Sequence, residues 1–107
     1  MYSNTYQKHG FFFTKLAGVS FEGRQYIAAS LNIGDILYFE REPSNPYDKF
    51  AVKVMTSNNQ QVGYISKQFS EQISTNILNG VKYNVTVSSI TGGGFDSNYG
   101  VNIKVEY

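Results

Sequence analysis

Cysteine and tryptophan are absent from this 107-residue chain, histidine occurs once and proline only twice. Without cysteine there is no disulfide framework and no thiolate metal site. The one histidine, His9, lies in a polar opening stretch with no partner at a motif spacing, and reads as a solvated tail residue. A nucleophile elbow, a zinc-ligand spacing and a phosphate loop ending in Gly-Lys-Ser/Thr are all missing. An enzyme is therefore not expected, and no cofactor or metal is called for. An excess of one charge is missing too: nine Lys plus Arg against eight Asp plus Glu leave a net charge of +1. That excludes a nucleic-acid binder coated in basic residues and leaves room for a local positive patch. No run approaches the ~18 apolar residues of a membrane span, and residues 1–10 carry no apolar signal segment. The expected setting is the cytoplasm, with no membrane contact. Asn84-Val85-Thr86 matches a glycosylation triplet but, without a secretion signal, reads as strand sequence.

What is present is enough for one domain: 41% hydrophobic residues, with aromatics at 16% supplied by Tyr and Phe alone. Tyrosine suits half-buried surfaces and stacking, because an apolar body carries a polar tip. Both prolines fall in one stretch, Glu40 to Lys49, between the apolar runs Ile36–Phe39 and Phe50–Val54. Each fixes its own φ and pushes the residue before it into extended backbone. Asn45 and Asp48 in that stretch can bond the local backbone. A long stiffened connection carrying charged, amide and aromatic groups is a natural place for function.

The polar residues 1–10 form a loosely ordered segment, and a single domain follows over 11–107. Phe11 to Ala17 reads as a strand and Gly18 to Gly23 as a turn. Arg24 to Leu31 reads as a short helix, since Ile27 and Leu31 are four apart around Ala28-Ala29. Ile36 to Arg41, Phe50 to Thr56 and Gln60 to Ile65 are strands, the last two joined by a hairpin at Asn58-Asn59. Ser66 to Asn79 is the clearest helix. Ser66 is placed to cap it, Phe69, Ile73 and Ile77 recur every four residues, and Gly80 fits the stop. Val81 to Ile90 alternates again, and Thr91 to Gly100 is a glycine-rich loop. Val101, Ile103, Val105 and Tyr107 alternate with polar residues as a half-buried last strand, which can also serve as a sheet edge pairing with a second copy. The expected fold is mainly β with one or two short helices, a small six-stranded OB-like β-barrel.

Several groups can carry chemistry. Gly92-Gly93-Gly94 is either an anion cradle or a flexible hairpin loop, and Phe95 and Tyr99 beside it can form an aromatic wall if exposed. Glu40 and Glu42 share a strand face, either as paired carboxylates or as a solvated strand end. In the proline loop Tyr47 offers a ring and Asp48 an acceptor. Lys15, Arg24, Lys49, Lys53 and Lys67 are candidates for a local positive patch. Ring, cation and acceptor together are what single-stranded nucleic-acid sites use. Equally, Asn45 and Asp48 can simply cap their own turn.

At these residues the chain resembles the HIRAN domain family. Phe13-Thr14-Lys15-Leu16-Ala17-Gly18-Val19 and Gly23-Arg24-Gln25 are similar to its opening. The segment from Glu42-Pro43-Ser44-Asn45-Pro46-Tyr47-Asp48-Lys49 through Phe50-Ala51-Val52-Lys53-Val54 resembles its most distinctive stretch. Gln61-Val62-Gly63-Tyr64-Ile65-Ser66-Lys67 is similar to the strand and helix entry that follow. The likeness covers most of residues 11–80 in order and spacing, and implies a stand-alone member of bacterial or phage type. Such domains also occur in eukaryotic fork-remodelling helicases, where an OB-like barrel captures the free 3′-hydroxyl end of single-stranded DNA.

Carried over position by position, the resemblance implies that Arg24 contacts the DNA backbone near the terminal nucleotide. It implies that Asp48 accepts a hydrogen bond from the 3′-hydroxyl and that Tyr47 packs on a terminal base. Asn45 and Pro46 shape the loop, and Lys67 reaches a phosphate. Gln25 stands where the helicase members carry an aromatic, with Tyr26 one residue on. Their later aromatic falls near Ile90, with Phe95 as a replacement. The candidate DNA-contacting residues are thus Arg24, Gln25, Tyr26, Asn45, Pro46, Tyr47, Asp48, Lys67 and Phe95. The leading expectation is non-catalytic binding of single-stranded DNA at free 3′ ends, in repair or fork processing beside a helicase or nuclease partner. The alternatives are a protein-interaction module and a metal-dependent nuclease using Glu40, Glu42 and Asp48.

Overall fold

Alternation at the end of the chain puts Val101, Ile103 and Val105 on one face, and all three are fully buried. The same period organises the other strands of the computed structural model, which describes residues 10–95 and 97–107. The elements run β1 Phe11–Lys15, α1 Arg24–Ser30, β2 Ile36–Arg41, β3 Val52–Thr56, β4 Gln61–Tyr64, α2 Lys67–Leu78, β5 Asn84–Thr91 and β6 Gly100–Glu106. The six strands form one antiparallel sheet in the order β1-β6-β5-β2-β3-β4. It curls into a half-barrel whose two edges touch at one point: Ala17 and Tyr64 exchange backbone hydrogen bonds of 2.8 Å in both directions.

The core is rich in valine, whose branched side chain packs well on a pleated surface. Val52, Val54, Val62, Val85 and Val87 join the β6 residues and Leu37 inside. α2 lays Ile73 into this core, with Phe69 and Ile77 packed beside it and the Phe69 ring 4.9 Å from that of Phe12. α1 contributes fully buried Ala28. No helix is long and apolar enough to cross a membrane among the described residues.

Several expectations shift. β6 lies between β1 and β5, so Val101–Tyr107 is not a sheet edge; the edges are β1 and β4. β3 starts at Val52 rather than Phe50, because Ala51 N–H closes a turn onto the Asp48 carbonyl at 3.0 Å. Ser66 stands at the start of α2, but its hydroxyl makes no capping bond; its carbonyl accepts from Phe69 N–H at 2.9 Å instead. The stop at Gly80 is as expected: it has φ 89° and donates to Ile77, while Val81 N–H reaches back to Asn76. Asn59 takes φ 63° in the β3–β4 hairpin. Gly10, grouped above with the polar opening segment, exchanges backbone hydrogen bonds of 3.0 Å with Tyr107; the rest of that segment, His9 included, lies outside the described residues.

The edge contact has a steric condition. A Cβ on Gly63 would stand 2.6 Å from the Ala17 carbonyl oxygen and 3.2 Å from a Val19 methyl. Gly63→Ala is therefore expected to destabilise the fold by roughly 1–3 kcal/mol, the range for overpacking. Each kcal/mol lowers Tm by ~4–8 °C in a domain of this size. Gly94→Ala meets open space at its Cβ and should change little. Thermal unfolding of the two variants followed by circular dichroism checks both.

Candidate functional site

The Ala17–Tyr64 contact draws the turn between β1 and α1 alongside the proline loop between β2 and β3. Between them lies a groove of about 710 Å³, a volume in the range of ligand sites. One wall is Ala17, Gly18, Phe21, Glu22 and Arg24. The other is Glu42, Ser44, Asn45, Pro46, Tyr47, Asp48 and Ala51. Gln61, Tyr64, Ile65 and Lys67 complete it.

The proline loop holds its own shape. Pro43 and Pro46 have no N–H to give a ladder, and the asparagine and aspartate replace it. Asn45 Oδ1 accepts from the N–H groups of Tyr47 at 2.8 Å and Asp48 at 3.0 Å. Asp48 Oδ1 accepts from Phe50 N–H at 2.8 Å, and its Oδ2 accepts from the hydroxyl of Ser70 on α2 at 2.9 Å. Tyr47 is left projecting, 88% exposed.

A polar relay ties this loop to the opposite wall. Glu42 Oε1 accepts from Asn45 Nδ2 at 2.8 Å and from the Tyr64 hydroxyl at 2.7 Å. The Tyr64 ring lies under the Arg24 guanidinium, 5.2 Å from its centroid. Arg24 is buried, and donates to the Gly18 carbonyl and to Glu22 Oε2 at 2.8 Å each. The bonds from Asn45 and Tyr64 hold the Glu42 carboxyl below its ordinary value of 4.5, with help from the charges of Lys53 and Arg24 and against the cost of burial.

Of the residues singled out in the sequence, Arg24, Asn45, Pro46, Tyr47, Asp48 and Lys67 line the one groove. Gln25, Tyr26 and Phe95 do not. The Gln25 amide is spent on structure: it donates to the carbonyls of Val19 and Tyr99 at 3.1 Å and accepts from Tyr99 N–H at 2.7 Å. That bracket ties α1 to the β5–β6 loop. Tyr26 and Phe95 are 85% and 96% exposed outside the groove. Ile90 packs against the core, and Tyr99 is half-buried there with its ring against Gly93, so Phe95 and Tyr99 make no joint wall.

Glu40 and Glu42 do converge, but on Lys53 of the next strand, whose Nζ is 3.0 and 3.9 Å from them. The bond to Glu40 raises the lysine pKa. Among the described residues no three of His, Cys, Asp and Glu form a metal-binding group. Sequence reasoning passed over Phe21, Glu22 and Tyr64. The signal for Phe21 was a large ring inside a segment otherwise composed as a turn.

Comparison with known proteins bears on this geometry. The sequence model of the family described as HIRAN domain matches residues 9–107. The helicase-like transcription factor of Oryctolagus cuniculus is 38% identical over 52 residues, 49% of this chain. Its Homo sapiens counterpart is 38% identical over 48 residues, 45% of this chain. In each case the match spans 5% of the relative's own length. The crystal structure of the HIRAN domain of human HLTF superposes with a TM-score of 0.68 at 22% identity, covering 91% of this chain and 75% of that one. That of a protein from Lactobacillus plantarum gives 0.66 at 18% identity, covering 94% and 100%. Both likenesses are of fold: the six-stranded half-barrel with two helices.

The relay sets a pH dependence. Because folding lowers the Glu42 pKa, the unfolded chain takes up that proton first as acid is added. The stabilisation is fully present above the unfolded value near 4.5 and is lost as pH falls through the folded value. Glu42→Gln lacks the charge. The stability gap between wild type and this variant should shrink from about pH 6 to about pH 3 in urea titrations. A gap independent of pH contradicts the relay.

Proposed function

Since the chain belongs to the HIRAN domain family, we propose that it binds single-stranded DNA without catalysis and holds a free 3′-hydroxyl end in this groove. The observation that carries the reading is the convergence of Arg24, Tyr47, Asp48 and Lys67, from three separate stretches of chain, on one cleft. Tyr47 offers a free ring face to a base. Exposed Lys67 offers an ammonium to a phosphate. Arg24 has five donors, of which two are engaged, so others remain for the DNA backbone. Each Asp48 oxygen already accepts one hydrogen bond. A carboxylate has about four acceptor sites, which leaves capacity for a terminal hydroxyl, whereas a 3′-phosphate brings like charge.

The same proposal has the domain act inside the cell beside a helicase or nuclease in fork processing or repair; of these, the helicase alone has support in the name of the mammalian relatives, helicase-like transcription factor. Exposed Tyr26 and Phe95, away from the groove, favour a protein contact as a second use of the domain.

Titration of a short labelled strand tests the reading. The 3′-hydroxyl strand should bind more tightly than its 3′-phosphorylated form, with a shallow salt dependence of ~−0.7 per phosphate contact for two or three contacts. Arg24→Ala should weaken both. Asp48→Asn keeps an acceptor for Phe50 and should narrow the preference between the two ends. Equal binding of the two strands, or none, overturns end recognition.

A further inference from the structure

Resting on that reading, we propose that Phe21 is a base-stacking residue of the groove, the partner of Tyr47 across the cleft between the two loops. Phe21 lines the groove and is 64% exposed, and among the described residues the only other aromatic side chains in the lining are Tyr47 and Tyr64. Tyr64 is not free for this: the Arg24 guanidinium lies over its ring and its hydroxyl is bonded to Glu42. Two rings remain with faces open, one on each rim.

The turn presents Phe21 in a fixed position. Gly18, Glu22 and Gly23 all have positive φ, of 69°, 55° and 78°. For Glu22, which is not a glycine, that backbone is sterically unfavourable, and such strain gathers at functional sites. Phe21 N–H donates to the Gly18 carbonyl at 3.3 Å, and Arg24 N–H to the Phe21 carbonyl at 3.0 Å. The Arg24 side chain then grips the turn at both ends through Gly18 and Glu22. Two residues earlier, Val19 is buried in the core, so the turn is anchored there without Phe21. A large apolar ring is thus held out of the core, over the cleft, on a turn already anchored by a cation. A ring face reads no hydrogen-bond pattern, so the site should accept any base and require that a base be there.

The test pairs a protein change with a ligand change. Binding is measured for wild type, Phe21→Leu and Phe21→Trp on an intact 3′-hydroxyl strand and on strands with an abasic nucleotide at the last or the penultimate position. Thermal unfolding of each variant confirms an intact fold, which exposure of Phe21 makes the expected result. Phe21→Leu should bind the intact strand roughly 5- to 150-fold more weakly, the range of one base–aromatic stack, and Phe21→Trp should restore affinity. On the strand lacking the partner base, wild type and Phe21→Leu should bind alike. Phe21→Leu matching wild type on the intact strand, or losing the same factor on every strand, overturns the proposal. If the 3′-hydroxyl preference stands in either case, end recognition survives without Phe21. If wild type binds no strand, both fall.

Discussion

Two backbone hydrogen bonds between Ala17 and Tyr64 hold together the edges of a sheet that is otherwise open. The contact is tolerated because Gly63 offers no Cβ to the Ala17 carbonyl. It brings segments more than forty residues apart into register, and the relay from Arg24 through Tyr64 to Glu42 is built on it. Tyr64 is both a partner in this contact and the centre of the relay. Its backbone closes the sheet, its ring carries Arg24, and its hydroxyl bonds Glu42.

The groove that results is short of free charge. Arg24 is paired with Glu22, and Lys53 is occupied by Glu40 and Glu42, which leaves exposed Lys67 as the lining cation with no carboxylate on it among the described residues. A site of this kind gains little from long-range attraction at a net charge of +1. Affinity must come from ring faces and from a few directed hydrogen bonds. That chemistry suits the proposed capture of a strand end better than a surface that coats a strand. The loop carrying Tyr47 and Asp48 is held by its own side chains, so little ordering is left to occur on binding.

Much of this was readable from residue order. Alternation gave the strands, the four-residue recurrence of Phe69, Ile73 and Ile77 gave α2, and the Pro-Ser-Asn-Pro-Tyr-Asp stretch marked one wall of the groove. What escaped was decided by pairing at a distance. β6 looks like an edge strand from its own alternation, and only the partners on either side make it central. Gln25, next to Arg24, counts in the sequence as a candidate DNA contact, yet its amide is committed to Tyr99, 74 residues away. Phe21 was hidden because turn composition draws attention to glycine and not to the ring held between the glycines.

Amide chemical shifts of the labelled protein, followed by NMR as a short 3′-hydroxyl strand is added, would show where a strand sits. The largest changes should fall on Gly18 to Arg24 and on Asn45, Tyr47 and Asp48, with smaller ones at the start of α2. Changes confined to the loop carrying Phe95 or to the exposed face of β1, or none at all, would contradict a DNA end held between the turn and the proline loop.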